Sequence, residues 1–338
     1  MKKIKTKIDE LKTEKTGEEN GIRPHGLREY IGQEKLKGTV QLMIESAKIR
    51  NVPVDHMLFY GQAGLGKTTL AGVVANEMGA KMTYLSGATI EKAGDIASVL
   101  AKVQENDVVF IDEIHRMDKS AEEILYTAME DFFVNITIGQ GMQSKQIKLE
   151  IPKFTLIGAT TRSDMLSKPL RDRFGLSYRM ELYTTEELQE IAMRTASIFN
   201  IEMRKDGALL LAENARGTPR IVNKYVARAR DIAVVEEVPV DANVARQALD
   251  TLGVVNDGLD ETDILILERL AEFSKPIGLN TLANIIGEDT ETIEGVYEPY
   301  LLKTGLILKT PKGRIISEKG ANLVHRNTPS YPIQQAFA

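Results

Sequence analysis

Residues 61–69, GQAGLGKTT, place three glycines and one lysine between an apolar run and a helical pattern. Their spacing, Gly61-x-x-x-x-Gly66-Lys67-Thr68, is that of a phosphate-binding loop. Glycine lets successive backbone N–H groups turn inward around phosphates, and the following helix presents its positive N-terminus to them. A glycine turn can also merely join a strand to a helix. The lysine–threonine ending favours a nucleotide, with Thr68 as a ligand of Mg²⁺.

A second motif, VVFIDEIHR at residues 108–116, ends an apolar run in two acids, Asp112 and Glu113. Such a run predicts a buried strand, and open α/β sheets bind ligands beyond the carboxyl ends of their strands. There Asp112 would hold Mg²⁺ through water and Glu113 would polarise the attacking water. The alternative is that the two acids cap the next helix. Together with a phosphate loop, they favour hydrolysis of ATP.

Short apolar runs alternate with helical patterns from about Arg23 to Leu182, which predicts an α/β domain with a parallel sheet over residues 21–182. The predicted strands are MLFY (57–60), KMTYL (81–85), DVVFI (107–111), FTLIGA (154–159) and YRMEL (178–182). Residues 132–151 alternate with period two on both sides of a GQG turn, which predicts an inserted β-hairpin.

Two further domains are predicted after the α/β domain. Residues 183–254 have no strand-like apolar runs and are predicted to be helical, with a break at RGTPR (216–220). The polar stretch 254–263 predicts a linker. Beyond it, a winged helix is predicted over residues 257–328, with helices at 262–273, 278–286 and 289–304 and two strands within 306–317. Residues 1–20, which carry six lysines and five acids, predict a mobile tail.

The composition narrows the possible partners and the compartment. The 338 residues include 43 Lys+Arg and 48 Asp+Glu, so a formal net charge of −5 gives no global reason for binding nucleic acid or an anionic membrane. The chain has no cysteine, which excludes disulfides and thiol catalysis and fits a reducing compartment. No apolar run approaches the roughly 18 residues of a membrane span. These features predict a cytoplasmic protein without a membrane partner.

Seven motifs occur along the chain in a characteristic order, with the hairpin between the second and the third: GQAGLGKTTLA, FIDEIHR, IGATTR, PLRDRFG, ELYT, RGTPRI and VYEPYL. In this order they resemble the RuvB family, the Holliday-junction branch-migration ATPases of bacteria. The resemblance runs from about Arg23 to about Ser317, which is most of the chain. It implies an AAA+ P-loop large domain, a small helical domain and a C-terminal winged helix.

The resemblance implies ATP and Mg²⁺ as cofactors and adds two residues to the catalytic pair of acids. Thr160 matches the residue that senses the terminal phosphate, with Thr161 as the second choice. The alternative is that a threonine at the end of a strand has only a structural role, as a cap or as part of the ladder. Arg173 matches an arginine finger that reaches the ATP of the neighbouring subunit, with Arg171 as its rival. A surface salt bridge is the alternative. A finger of this kind implies an oligomer, which in this family is a hexamer.

The resemblance also implies a set of nucleotide contacts. Arg220 of RGTPRI matches the sensor-2 arginine, which follows Pro219 at a helix start, and Tyr183 would close the adenine pocket from the domain hinge. Apolar residues in the entry segment IRPHGLREYIGQ could equally pack against their own domain. The implied nucleotide-binding residues are Ile22, Arg23, Tyr30, Ile31, Gly61, Gly64, Leu65, Gly66, Lys67, Thr68, Thr69, Glu130, Asp131, Phe132, Tyr183, Pro219 and Arg220.

Two partner surfaces follow from the resemblance. The hairpin would dock RuvA, the junction-binding partner, through apolar residues such as Ile136, Ile138 and Ile147; the alternative is a hairpin folded against its own domain. For the winged helix the charges are informative, because residues 257–302 hold eleven acids and two bases whereas 303–326 hold six bases and one acid. The implied contacts to the DNA backbone are Lys309, Lys312 and Arg314.

Several residues depart from the family's pattern. Gln62-Ala63 stands where Pro-Pro is usual, and Thr127 replaces a usual proline. Thr290 stands where an arginine often contacts DNA, so that this contact is expected to be lost or moved. Lysines in the wing replace arginines and would bind phosphate as point charges.

The sequence therefore predicts an ATP-driven motor on duplex arms of four-way junctions, working as hexameric rings with RuvA and RuvC. An AAA+ initiator or loader, with ATP as a slow switch, is the alternative. A clamp-loader subunit is the third candidate, and the winged helix speaks against it.

Overall fold

The computed structural model describes residues 21–138, 145–255 and 258–327, which form two compact units, Met1–Ile198 and Phe199–Ala338. The predicted mobile tail, residues 1–20, lies outside the described residues, as does the predicted GQG turn at 139–141. None of the helices in the described ranges is long and apolar enough to cross a membrane.

A five-stranded parallel sheet forms the centre of the first unit, and its strand order is β2-β3-β6-β1-β7. Its strands are β1 Met57–Tyr60, β2 Met82–Ser86, β3 Val108–Asp112, β6 Thr155–Thr160 and β7 Leu176–Arg179. The helices of this unit are α1 Glu34–Arg50, α2 Lys67–Met78, α3 Ala93–Leu100, α4 Lys119–Asp131, α5 Lys168–Asp172 and α6 Thr185–Ile198. The predicted α/β fold with a parallel sheet is confirmed.

The sheet aligns the carboxyl ends of the strands that matter for the site. Strand β6 is buried at every position and lies between β1 and β3, with Thr160 paired to Tyr60 and Gly158 paired to Ile111. The residues that follow β1, β3 and β6 therefore meet at one edge, as the position of the motifs predicts.

The last strand differs from the prediction over residues 178–182. Strand β7 begins at Leu176 and ends at Arg179. The N–H of Met180 still donates to Tyr60 O at 2.8 Å, but the N–H of Glu181 donates to the side chain of Gln33 at 3.2 Å instead of to a strand. This side-chain contact takes the chain out of the ladder.

The predicted hairpin is present as a separate two-stranded antiparallel sheet, β4 Phe133–Ile138 and β5 Lys145–Glu150. It follows α4 directly, through Phe132 in the left-handed conformation with φ 53°. Val134 at its base is buried in the core of the first unit, whereas Ile147 is 46% exposed. The hairpin is thus anchored at its base and exposes an apolar side chain further out.

The second unit contains helices and one short two-stranded sheet. Its helices are α7 Lys205–Glu213, α8 Pro219–Glu236, α9 Ala242–Thr251, α10 Glu261–Ala271, α11 Leu279–Ile286, α12 Thr290–Thr292, α13 Glu298–Lys303 and α14 Glu318–Asn327. Its strands, β8 Ile307–Thr310 and β9 Gly313–Ile316, form the antiparallel wing. The winged helix is confirmed, and α14 is an element that the sequence did not predict.

The helix predicted over 289–304 is continuous but changes type along its length. A π-helical turn, Ile293–Tyr297, separates α12 from α13. Pro299 lies in the first turn of α13 and has no N–H to donate, so it cannot complete an α-helical hydrogen bond to the preceding turn. The interruption places Glu294 and Glu298 beside the wing.

The stretch 254–263, predicted as a linker, is held by buried contacts where it is described. The Gly258 N–H donates to Asn214 Oδ1 at 2.9 Å, and the Arg216 guanidinium contacts both Asp260 and Asp263. Burial raises the pKa of the Asp263 carboxyl to about 7 even though Arg216 opposes the shift. Residues 256–257 of this stretch lie outside the described residues.

Candidate nucleotide-binding site

The phosphate loop is shaped by glycines with positive φ angles. Gly61, Gly64 and Gly66 have φ values of 139°, 80° and 94°, which residues other than glycine rarely adopt. A Cβ on Gly66 would approach the Tyr30 hydroxyl to 2.9 Å. Helix α2 begins at Lys67 without a side-chain cap, so its first N–H groups are left to an anion. The loop fits a phosphate chain, and Thr68 and Thr69 lie in the first turn of the helix.

Lys67 lies inside this loop and is 6% exposed. Its Nζ donates to the carbonyls of Gly61 and Gln62, both at 2.8 Å. Burial lowers the pKa of Lys67, while the charges of Glu113 and Asp112 act in the opposite direction. The structure therefore brings together the lysine and the two acids that the motifs predict.

Asp112 ends β3 and is partly buried. Its Oδ1 accepts the N–H of Glu113 at 3.0 Å, and its Oδ2 accepts the Tyr84 hydroxyl at 3.1 Å. The described residues hold no cluster of three or more acids and histidines that could bind a metal alone. A site made of Asp112 and Thr68 fits Mg²⁺, which usually keeps water and phosphate ligands beside one or two protein groups.

Glu113 follows β3, and its carboxylate is held by hydrogen bonds. Its Oε2 lies 3.1 Å from His115 Nδ1 and accepts the N–H and the hydroxyl of Thr161 at 3.2 and 3.1 Å. Burial raises the pKa of the Glu113 carboxyl, but these hydrogen bonds outweigh burial and the pKa lies below its ordinary value. The carboxylate is therefore ionised at neutral pH, as a base must be.

The two threonines after β6 lie in different environments. Thr160 is fully buried, and its hydroxyl accepts the N–H of Arg162 at 2.9 Å and contacts His115 Nδ1 at 2.8 Å. Thr161 is exposed beside Glu113. The geometry thus gives the second choice, Thr161, the better access to a phosphate, because Thr160 has no exposed surface.

The entry segment closes over the loop through a pair of tyrosines. The Tyr183 hydroxyl lies 3.1 Å from Tyr30 Oη and donates to Leu65 O at 3.2 Å. Burial raises the pKa of Tyr183 to about 12 and that of Tyr30 well above its ordinary value, so both hydroxyls stay protonated. At the start of the segment, Arg194 donates to Ile22 O at 2.6 Å. Arg23 is exposed and Ile31 is partly buried.

The two candidate fingers follow one another at the end of α5. Arg173 is the C-cap of this helix; its side chain is 40% exposed and pairs with Glu130, a predicted nucleotide contact. Arg171 is exposed in the last turn. Asp131 ends α4 and is exposed, and Phe132 packs against the core of the first unit. The predicted roles of these residues toward nucleotide stay predictions.

In the second unit, Pro219 and Arg220 occupy the first turn of α8. Thr218 is the N-cap residue, and Arg220 is exposed. This is the helix start predicted for RGTPRI, and the role of Arg220 as sensor 2 stays a prediction.

The wing separates the three residues predicted to contact DNA. Lys309 and Lys312 are exposed, whereas Arg314 is 7% exposed. The Arg314 guanidinium donates to Glu298 Oε2 from Nε at 2.8 Å, and Lys309 Nζ contacts Glu298 Oε1 at 2.8 Å. Arg314 is therefore bound within its own domain, Lys309 is exposed but paired with the same carboxylate, and Lys312 is exposed.

The predicted RuvA-docking residues lie on facing strands of the hairpin. Ile136 of β4 is paired with Ile147 of β5 in the antiparallel register. The side chains of Ile136 and Ile138 lie outside what the structure describes. Of the three predicted docking residues, Ile147 is the one whose side chain the structure describes.

Sequence reasoning missed Tyr84 and His115 as residues of the site. His115 stands within FIDEIHR, three residues after Asp112, so its proximity to the acids was a signal in the sequence. Tyr84 has no comparable signal, because its contact depends on the pairing of β2 with β3, where Ser86 lies opposite Asp112.

Three family models match consecutive parts of the chain. They are the Holliday junction DNA helicase RuvB P-loop domain over residues 22–180, the RuvB AAA lid domain over 183–255 and the RuvB C-terminal winged helix domain over 256–325. The Holliday junction branch migration complex subunit RuvB of Leuconostoc mesenteroides subsp. mesenteroides is 50% identical over 305 residues, covering 89% of this chain and 87% of the relative.

Solved structures give the same result. The Thermotoga maritima RuvB Holliday junction branch migration motor is 40% identical with a TM-score of 0.82, covering 91% of this chain and 100% of that chain. The Aeropyrum pernix ORC2 protein, 14% identical with a TM-score of 0.53 over 86% of this chain and 93% of that chain, shares the fold alone. Because high identity extends along most of both chains and three RuvB models follow one another, this chain belongs to the RuvB family.

Proposed function

We propose that this protein is an ATP-driven DNA motor that moves the branch point of Holliday junctions. The observation that carries the proposal is the convergence of Lys67, Asp112 and Glu113 at one edge of the sheet, in a chain that also contains a winged helix. The relatives named above are branch-migration proteins, which supports this function. ATP is the proposed fuel and duplex DNA at four-way junctions the proposed track.

The proposed hydrolysis divides roles among residues of one site. The loop N–H groups and Lys67 bind the phosphates, and Glu113 takes the proton of the attacking water. Thr68 and Asp112 would hold Mg²⁺, which neutralises phosphate charge when bound. For the contact to the terminal phosphate we propose Thr161 ahead of Thr160, because Thr160 is fully buried and Thr161 is exposed.

A hexameric ring would complete the site with Arg173 of a neighbouring subunit. In the single chain this side chain pairs with Glu130 at the surface. Exposed ion pairs contribute about 0–1 kcal/mol, so the guanidinium can leave Glu130 for a nucleotide at little cost. The same reasoning makes Arg173 available in trans, which is what a ring requires.

The remaining proposals concern partners and organisation. The hairpin would dock RuvA through Ile147 and its neighbours. RuvC is a further proposed partner, and the proposed compartment is the cytoplasm. Lys309 and Lys312 would contact DNA phosphates. The proposed domains are 21–182, 183–254 and 257–328, with residues 1–20 as a tail.

The second candidate is an AAA+ initiator or loader that uses ATP as a slow switch, and the RuvB relatives named above support the motor over it. Phosphate release by the full chain on duplex DNA, with and without RuvA, distinguishes the two. A motor hydrolyses continuously and is faster with DNA and RuvA, and its Glu113→Gln variant binds ATP without cleaving it. About one phosphate per binding event would support the switch and contradict the motor.

A further inference from the structure

The backbone of Glu113 is held in a conformation that costs energy for a residue with a side chain. Its φ and ψ are 46° and 48°, in the left-handed region. Gly87, just after β2, lies against it: a Cβ on Gly87 would be 2.3 Å from the Glu113 carbonyl oxygen. The same carbonyl accepts the N–H of Arg116 at 2.8 Å. Gly87 and the turn after Glu113 therefore fix the carbonyl from two sides.

The carboxylate of Glu113 is anchored through one oxygen. The contact from His115 and both contacts from Thr161 end on Oε2. An anchor on Oε2 orients the carboxylate and leaves Oε1 to take a proton from water.

His115 connects this anchor to the core of the sheet. Its side chain is 8% exposed, and its Nδ1 lies 2.8 Å from the hydroxyl of the fully buried Thr160. An ionised carboxylate can only accept a hydrogen bond, so Nδ1 carries the proton in the contact to Glu113. A residue of β6 thus sets the orientation of the ring, and the ring orients the carboxylate together with the two hydrogen bonds from Thr161.

We propose that His115, held by Thr160, and Gly87 are positioning residues that set the orientation of Glu113 for ATP hydrolysis. The inference rests on the proposed role of Glu113 as the base. His115 acts through Glu113 and Thr160, and Gly87 acts through the backbone, so neither residue is needed to bind nucleotide. Loss of the anchor should therefore reduce turnover and leave ATP affinity unchanged.

A matched pair of substitutions tests the Nδ1 contact. The amide nitrogen of asparagine is the same number of bonds from Cα as Nδ1 of histidine. The amide nitrogen of glutamine is one bond further from Cα, as Nε2 of histidine is. His115→Gln should lower kcat about 100-fold, the effect of misplacing a catalytic group by roughly 1 Å. His115→Asn should keep most of the wild-type kcat. Both variants should bind ATP with the wild-type Kd.

The measurements are steady-state ATP turnover on duplex DNA and equilibrium ATP binding, made on the full chain with melting temperatures as a check of folding. Wild-type kcat in His115→Gln, an equal fall of kcat in both histidine variants, or a loss of ATP affinity matching the loss of kcat would each overturn the proposal. If His115→Gln does not fold, Gly87→Ala gives the second test. Its kcat should fall with ATP binding retained, and an unchanged kcat would overturn the proposal.

Glu113→Gln separates this proposal from the proposed function. If Glu113→Gln turns over ATP normally, the role of Glu113 as base is wrong. If Glu113→Gln is inactive and His115→Gln is not, only the positioning role is wrong. With both roles correct, His115→Gln adds no further loss to the Glu113→Gln variant, because residues that act as one unit are not additive.

Discussion

Removing the Glu298 carboxylate should destabilise the wing far more than removing an exposed acid would. Glu298 is 3% exposed, and its two oxygens receive Arg314 and Lys309. Among the acids of the described residues, Glu298→Ala would leave the guanidinium of Arg314, itself 7% exposed, with the more distant Glu294 at 3.7 Å. A buried charge that loses its partner is costly because water cannot replace the lost interaction.

The size of the effect follows from this burial. Breaking a buried ion pair by removing one partner costs about 3–5 kcal/mol, and Glu294 keeps the value near the lower end. At 1.36 kcal/mol per factor of ten, about 3 kcal/mol is roughly a 150-fold change in the local opening equilibrium. Amide hydrogen exchange measures this opening equilibrium at Ile277 and Arg314, whose N–H groups donate to each other's carbonyls at 2.8 and 2.7 Å.

Two variants control the experiment. Glu294→Ala removes a carboxylate whose side chain is 41% exposed, so protection of the same amides should change less than about fivefold, the value of 1 kcal/mol. Replacing the pair by apolar residues, Glu298→Leu with Arg314→Met, should restore much of the protection. Unchanged protection in Glu298→Ala would refute the reasoning, and Arg314 would then be available to DNA as the family resemblance implies.

Three further predictions concern pH, the hairpin and the shared site. Burial lowers the pKa of His56, so stability is full above its ordinary value of 6.5 and falls as the pH drops through that value; His56→Gln should flatten the pH dependence of the melting temperature, and an equally steep dependence would contradict this. Ile147→Asp should abolish RuvA pull-down with basal ATPase retained, while Leu42→Asp, the same charge at another exposed apolar residue, should bind RuvA normally. Arg173→Ala and Lys67→Ala should each be inactive alone and regain hydrolysis when mixed on duplex DNA; background activity in mixed rings would rule out Arg173 as the finger.

The centre of the site was predictable because its residues follow strands in short contiguous motifs. Gly66, Lys67 and Thr68 form one turn and helix start, and Asp112 and Glu113 end a single buried run. A parallel sheet then brings such strand ends to one edge, whatever the details of packing. For the same reason the order of apolar runs predicted the α/β fold.

Contacts that depend on strand pairing or on facing elements could not be predicted in this way. Tyr84 reaches Asp112 only because β2 pairs with β3 in one register, and Gly87 approaches Glu113 for the same reason. The family resemblance implied that Arg314 would contact DNA, but the burial of this side chain depends on Glu298, which comes from a helix that packs beside the wing. Charge along the chain does not reveal which cation an acid from another element will neutralise.

The most direct test of the account is a branch-migration assay on a mobile four-way junction with the purified full chain, RuvA and ATP. We expect branch migration to convert the junction into its duplex products only when ATP and RuvA are both present. The Glu113→Gln variant should form no product although it binds ATP. Continuous ATP hydrolysis on DNA without any movement of the branch point, or equal product formation with a non-hydrolysable ATP analogue, would contradict it.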